Sequence, residues 1–129
     1  MVSDELKRTR PSASVTAAGV DHVRLSYHYL DAGDLDGYGS LLDEQAQLRR
    51  PDAPPGHGRA QVVRLQKILA GPMTRHEVVK VVAEGDTIAV TGRFTPPERD
   101  TAVEFADVFT LSDEGLLLSQ HRYYFVAPA

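Results

Sequence analysis

The apolar residues of this chain change their spacing once, and that change decides the fold class. Before Gly71-Pro72 they recur every three or four positions, and after it they gather in β-branched runs broken by turn residues. The runs HEVVKVVAEG, DTIAVTGRF, TAVEFADVFTL and LLLSQHRYYFV are predicted as four consecutive antiparallel strands. Their turns fall at Glu84-Gly85-Asp86, Pro96-Pro97 and Asp113-Glu114-Gly115. Helices first and strands last is the α+β pattern, in which a curled sheet buries one face on the helices. Such a sheet, set against a long helix, is expected to enclose a cavity.

Ahead of the strands, Val20, Val23, Tyr27 and Leu30 make one apolar stripe, and Gly33 offers the left-handed position that ends a helix. Asp34 is placed to cap a second, shorter helix carrying Leu35, Tyr38, Leu41 and Leu42. Gln45 to Arg50 reads as a short strand. In PDAPPGHG the prolines and glycines oppose regular structure, so a loop at the cavity rim is expected. Arg59 to Leu69 reads as a third helix. Residues 1–15 mix charge, Ser, Thr and Pro without period and read as a flexible arm, leaving 16–129 as a single domain.

Composition narrows the function. The 129 residues suffice for one core. With 14 Lys+Arg against 18 Asp+Glu, the net charge of -4 repels a phosphate backbone, so no nucleic-acid partner is expected. The absence of cysteine excludes disulfides, thiolate zinc sites and a cysteine nucleophile. The chain shows no apolar signal-peptide core and no stretch of ~20 apolar residues, so the expectation is a cytoplasmic protein with no membrane partner. His22, His28, His57, His76 and His121 have no metal-ligand spacing. Phosphate-binding and dinucleotide glycine motifs and a nucleophile elbow are missing too, so neither metal nor cofactor is expected.

Leu30-Asp31-Ala32-Gly33-Asp34-Leu35-Asp36-Gly37-Tyr38 joins the first two helices, and the Pro/Gly loop closes on Gly58-Arg59-Ala60. With FADVFTLSDEG in the penultimate strand, the sequence from about Thr16 to Val126 resembles the nuclear transport factor two-like superfamily. Within it, the similarity is to SnoaL-like polyketide cyclases and ketosteroid isomerase-like proteins. The resemblance implies a cone-shaped, curled antiparallel sheet packed on three N-terminal helices, the cystatin-like roll. It also implies a homodimer through the outer sheet face. Isomerases of this group use a tyrosine on the first helix, an aspartate base after the first strand and a protonated aspartic acid on the penultimate strand. Those positions fall here on Ser26, Arg50 and Asp107. Only the last matches, so steroid-type isomerisation is not expected.

Asp107 shares strand parity with Val103, Phe105, Phe109 and Leu111, the face expected inside. Two readings stay open: a carboxyl kept neutral by desolvation and suited to general acid work, or a salt bridge to an arginine. In the last strand Gln120, Arg122 and Tyr124 alternate against Leu117, Ser119, His121, Tyr123 and Phe125. The resemblance turns the first set toward the pocket, where Arg122 would lower the Asp107 pKa and make it a base or an oxyanion orienter. The alternative points Arg122 to solvent or a subunit boundary. Ser26 holds the donor position, and Tyr27 continues the core stripe. Arg50 is either a bidentate clamp for a substrate oxygen or a solvated neighbour of Arg49. His57 and His121 are general-base candidates if they face the cavity.

The reading that follows is a cofactor-free enzyme of secondary metabolism acting on an apolar, oxygenated small molecule of polyketide or terpenoid kind. Its chemistry would be acid/base cyclisation, isomerisation, dehydration or hydrolysis. Asp107, Arg122 and Arg50 are its expected catalytic residues, and Ser26, Tyr27, His57, Phe105, Phe109, Gln120 and Tyr124 its expected substrate contacts. The alternatives are a module that binds a ligand without turnover and a dimeric interaction module.

Overall fold

The computed structural model describes residues 12–69, 74–96 and 100–125. Helix α1 (Ala13–Ala32) starts ahead of Thr16 because Ser12 caps it, its hydroxyl accepting the Val15 N–H at 3.2 Å. The first eleven positions of the expected arm lie outside the described residues. At the other end Gly33, left-handed at φ 73, donates to the Leu30 carbonyl, and the Asp34 N–H donates to the Tyr29 carbonyl. Asp34 then caps α2 (Leu35–Ser40), its carboxylate accepting the Gly37 N–H at 2.8 Å. This double cap turns the chain sharply between the two helices. Val23, Tyr27 and Leu30 are the buried face of α1. Each such side chain contributes about 1.5–3 kcal/mol when fully buried.

Leu42 does not extend α2; it begins β1 (Leu42–Arg50), which is longer than the predicted Gln45 to Arg50 strand. The segment expected to be a loop forms β2 (Ala53–His57). Pro54 and Pro55 are tolerated because β2 is the sheet edge, and its register runs through Ala53, Gly56 and His57, opposite Arg50, Leu48 and Gln47. Helix α3 (Arg59–Leu69) follows, burying Val62 and Gln66. Then β3 (Arg75–Glu84), β4 (Thr87–Thr95), β5 (Val103–Leu111) and β6 (Leu117–Tyr124) form the predicted antiparallel meander.

The sheet order is β2-β1-β6-β5-β4-β3. Because β1 runs parallel to β6, with Leu48 beside Gln120 and Arg49 beside His121, the sheet is mixed and not wholly antiparallel as expected. The architecture is α+β, with three helices on an open six-stranded sheet, the third helix following β1 and β2. The register shifts between Thr110 and Leu111, so Leu117 lies opposite Leu111 and is buried, against the outward parity read from sequence.

The inner face carries Ile88, Val90 and Phe94 from β4 and Phe105, Asp107 and Phe109 from β5, all buried. Gly92, between Val90 and Phe94, faces Phe105 on one side and Val78 on the other, where β3 is irregular. A Cβ on Gly92 would overlap the Glu77 carbonyl and stand 2.9 Å from Phe105 Cζ. Glycine there lets the Phe105 ring lie down over the sheet. Among the described residues no helix is long and apolar enough to cross a membrane.

Candidate functional site

Asp107 sits mid-strand on β5, directly across from Arg122 on β6, and neither side chain reaches solvent. Arg122 Nε donates to Asp107 Oδ1 and Nη2 to Oδ2, both at 2.8 Å. Oδ2 also accepts the Tyr27 hydroxyl at 2.6 Å and Gln120 Nε2 at 3.0 Å. Four donors converge on one carboxylate, three on Oδ2 and one on Oδ1. Burial works against the Arg122 charge, but the hydrogen bonds and charge of Asp107 more than offset it, and the guanidinium is held charged. Its carbon lies 4.3 Å from the centre of the Phe105 ring and 5.2 Å from that of Phe94, a cation held by aromatic faces. Burial first, then the Asp107 charge and hydrogen bond, push the Tyr27 hydroxyl well above its ordinary range, so Tyr27 remains a donor.

A second cluster adjoins the first through Phe94 and Tyr124. Arg50, buried, donates from Nε and Nη2 to the two Asp52 oxygens at 2.8 Å, from Nη1 to Gln66 Oε1 at 3.0 Å and from Nη2 to the Tyr124 hydroxyl at 2.8 Å. Gln66 passes the chain on to the Tyr38 hydroxyl at 3.2 Å. Burial pushes Tyr38 up to about 12. Burial would raise the Asp52 pKa, but the Arg50 hydrogen bonds and charge hold it below its usual value. A groove of about 600 Å³ lies at this end of the sheet, and Arg49, His121 and Tyr123, on the parity opposite to Arg122, line it together with Arg50, Pro51, Ala53, Pro55, Arg122 and Tyr124. Deeper in, between Tyr38, Leu48, Val62, Phe109 and Gln120, the void is about 10 Å³, so that region is packed.

The family is decided by the chain's own sequence. The family model for the SnoaL-like domain matches residues 23–119. The chain belongs to the SnoaL-like domain family. No curated protein matches it in sequence. Solved structures share the fold of this SnoaL-like domain at low identity. A proposed ketosteroid isomerase from Kribbella flavida DSM 17836 is 20% identical over 88% of this chain and 82% of its own, with a TM-score of 0.77. A proposed SnoaL-like polyketide cyclase from Jannaschia sp. CCS1 is 18% identical over 89% and 90%, with a TM-score of 0.75. A protein of unknown function with a cystatin-like fold from Methylobium petroleophilum PM1 is 14% identical over 93% and 82%, with a TM-score of 0.79.

In this SnoaL-like domain Asp107, Arg122, Gln120, Tyr27 and Phe105 come together, and Arg50 and Tyr124 form the neighbouring cluster. Phe109 packs edge-on against Tyr27. Of the two alternatives for Asp107, the salt bridge is the one formed, and Arg122 is buried instead of solvated. Ser26 does not reach the carboxylate: its hydroxyl donates to the Val23 carbonyl of its own helix at 2.6 Å. The phenol donor expected to be lost is supplied one position along by Tyr27, because Val23, Tyr27 and Leu30 form the face of α1 turned to the sheet. His57 is exposed, with its backbone N–H bonded to Gln61, away from the inner face. His121 stacks on Tyr123, an exposed residue on the opposite parity of β6.

Sequence reasoning passed over Asp31 and His76. Their only signal is that His76, the second residue of β3, has inward parity, since the partner lies 45 positions away. His76 Nδ1 lies 2.7 Å from Asp31 Oδ1, and the His76 backbone N–H donates to Oδ2 at 2.7 Å. Among the described residues, His76 Nε2, Arg122 Nη1 and Thr74 Oγ1 are buried without a protein partner.

Proposed function

We propose that this SnoaL-like domain is a cofactor-free enzyme that takes an apolar, oxygenated small molecule of polyketide or terpenoid kind against the inner face of its sheet and moves protons on it. The observation that carries the reading is the free end of Arg122. Asp107 fixes the guanidinium through Nε and Nη2, the aromatic rings shield it, and among the described residues Nη1 is buried without a protein partner. A preorganised cation in a water-poor site stabilises the oxygen that gathers charge when a neighbouring C–H or C–O bond breaks. In this reading Asp107 orients Arg122, with Tyr27 and Gln120 holding Asp107 in place. Arg50 and Tyr124 bind a second oxygen at the open end. Relatives described as cyclase and isomerase support the class of reaction.

The protein in this reading works as a cytoplasmic homodimer. Val79, Val82, Tyr123 and Phe125 are exposed, and a groove of about 420 Å³ lined by Val79, Tyr123 and Phe125 supports pairing through the outer sheet face. One observation favours a second reading, a ligand-holding module without turnover: the Asp107 carboxylate already accepts four hydrogen bonds from the protein.

Ligand-induced thermal stabilisation across cyclic ketones, polyketide-like aromatics and terpenoid epoxides, followed by product analysis, separates the readings. A ligand at a hundred times its Kd adds about 2.7 kcal/mol. Stabilisation with conversion supports the enzyme, and stabilisation without conversion supports the module. A broad panel with no stabilising member contradicts both.

A further inference from the structure

We infer that His76, fixed by Asp31, is the group that removes and returns the proton in this site, on a small ketone or enol whose oxygen lies against Arg122 Nη1. The inference rests on the enzymatic reading of the inner face.

His76 lies opposite Phe94 in the β3–β4 register, and its side chain is 2% exposed. The Asp31 carboxylate can only accept, so the hydrogen between them belongs to His76 Nδ1. That sets the tautomer and leaves Nε2 as a bare acceptor. The ring centre is 4.9 Å from that of Phe94 and 5.9 Å from that of Phe105, the same two rings that carry the Arg122 guanidinium. The unpartnered Nε2 and Nη1 therefore belong to one layer of side chains. The charged and titratable groups around His76 are Tyr27 and Asp31 from α1, Asp107 from β5 and Arg122 from β6, with the Phe94 ring supplied by β4. Burial, the largest influence, lowers its pKa; Asp31 opposes this and Arg122 adds to it, so the ring is neutral at neutral pH.

A histidine that only fastened α1 to β3 would need its Nδ1–H and backbone N–H and nothing more. Among the described residues Nε2 is buried without a protein partner, and a proton-transfer role gives that lone pair a use. The Nε2 lone pair takes a proton from the carbon beside a carbonyl. The C–H electrons become the enolate double bond, and the carbonyl π pair moves onto the oxygen facing Arg122. The imidazolium, supported by Asp31, then returns the proton to the same carbon or to a conjugated one. The step needs no oxidant, reductant or cofactor.

The test follows deuterium exchange at the α-carbon of a panel of cyclic ketones in D2O by NMR, with 2-tetralone as reference. The natural chain should accelerate exchange, with a rate that rises with pH through one ionisation below the ordinary histidine value and then levels off. His76→Asn should slow exchange about 10²–10⁴-fold while 2-tetralone still stabilises the protein. Asp31→Asn removes the group that raises the His76 pKa, so the midpoint should move to lower pH. Exchange at the natural rate in folded His76→Asn overturns the inference and leaves the Arg122 site standing. A pH-independent rate in the natural chain overturns it without any variant. If no ketone binds or exchanges, the enzymatic reading itself fails, and the inference with it.

Discussion

Asp107 and Arg122 are cross-strand neighbours joined by two 2.8 Å hydrogen bonds, and their side chains are 0% and 1% exposed. Removing one member leaves the other as a stranded buried charge. Asp107→Leu and Arg122→Leu, measured separately by urea unfolding, are each expected to cost about 3–5 kcal/mol. The double variant should be more stable than either single one, because it removes both charges together. Additive losses would contradict this.

Tyr27→Phe keeps the ring packed against Phe109 and deletes only the hydroxyl donor to Asp107. A loss of about 1–3 kcal/mol is expected, and none in Asp107→Leu, where the acceptor is already gone. A double-mutant cycle in urea reads the coupling directly.

His76 makes stability depend on pH with a definite sign. Burial holds its folded pKa below its unfolded value, so the unfolded chain binds the proton first as pH falls. The contribution is complete above about pH 6.5 and is lost as pH falls from there toward the folded pKa. Urea midpoints at a series of pH values should therefore decline more steeply on acidification in the natural chain than in His76→Asn. Parallel curves would contradict the assignment. Asp52, its pKa also lowered, contributes its own loss only in the acid range, below the usual carboxylate value.

Gly92→Ala places a methyl group into the Glu77 carbonyl and against Phe105, and backbone cannot step aside as a flexible side chain would. A loss of about 1–3 kcal/mol is expected. It should come with a weaker response to 2-tetralone, since the Phe105 ring supports Arg122. Ordinary alanine stability would show that β3 yields at its irregular position.

Side-chain parity made much of the inner face legible in advance. Strand alternation put Asp107 with Phe105 and Phe109, and Gln120 with Arg122, and these residues do meet. Parity failed at Leu117, where an irregularity in β5–β6 pairing changes the count. Propensity failed at β2, because an edge strand tolerates the prolines that a central one would not. Counting along α1 favoured Ser26 over Tyr27, whereas the helix turns Tyr27 toward the sheet and leaves the Ser26 hydroxyl on its own backbone. The parallel β1–β6 pair and the Asp31–His76 contact join distant segments and have no local pattern to announce them.

The central claim is that Arg122 Nη1 receives the oxygen of a bound small molecule. It is tested most directly by ¹⁵N NMR of the arginine side chains during titration with 2-tetralone and the other ketones of the panel. Binding should shift the Arg122 Nη1 resonances while Nε, bonded to Asp107, stays nearly in place. A ketone that binds the protein and leaves every Arg122 resonance unmoved would place the ligand elsewhere and contradict the claim.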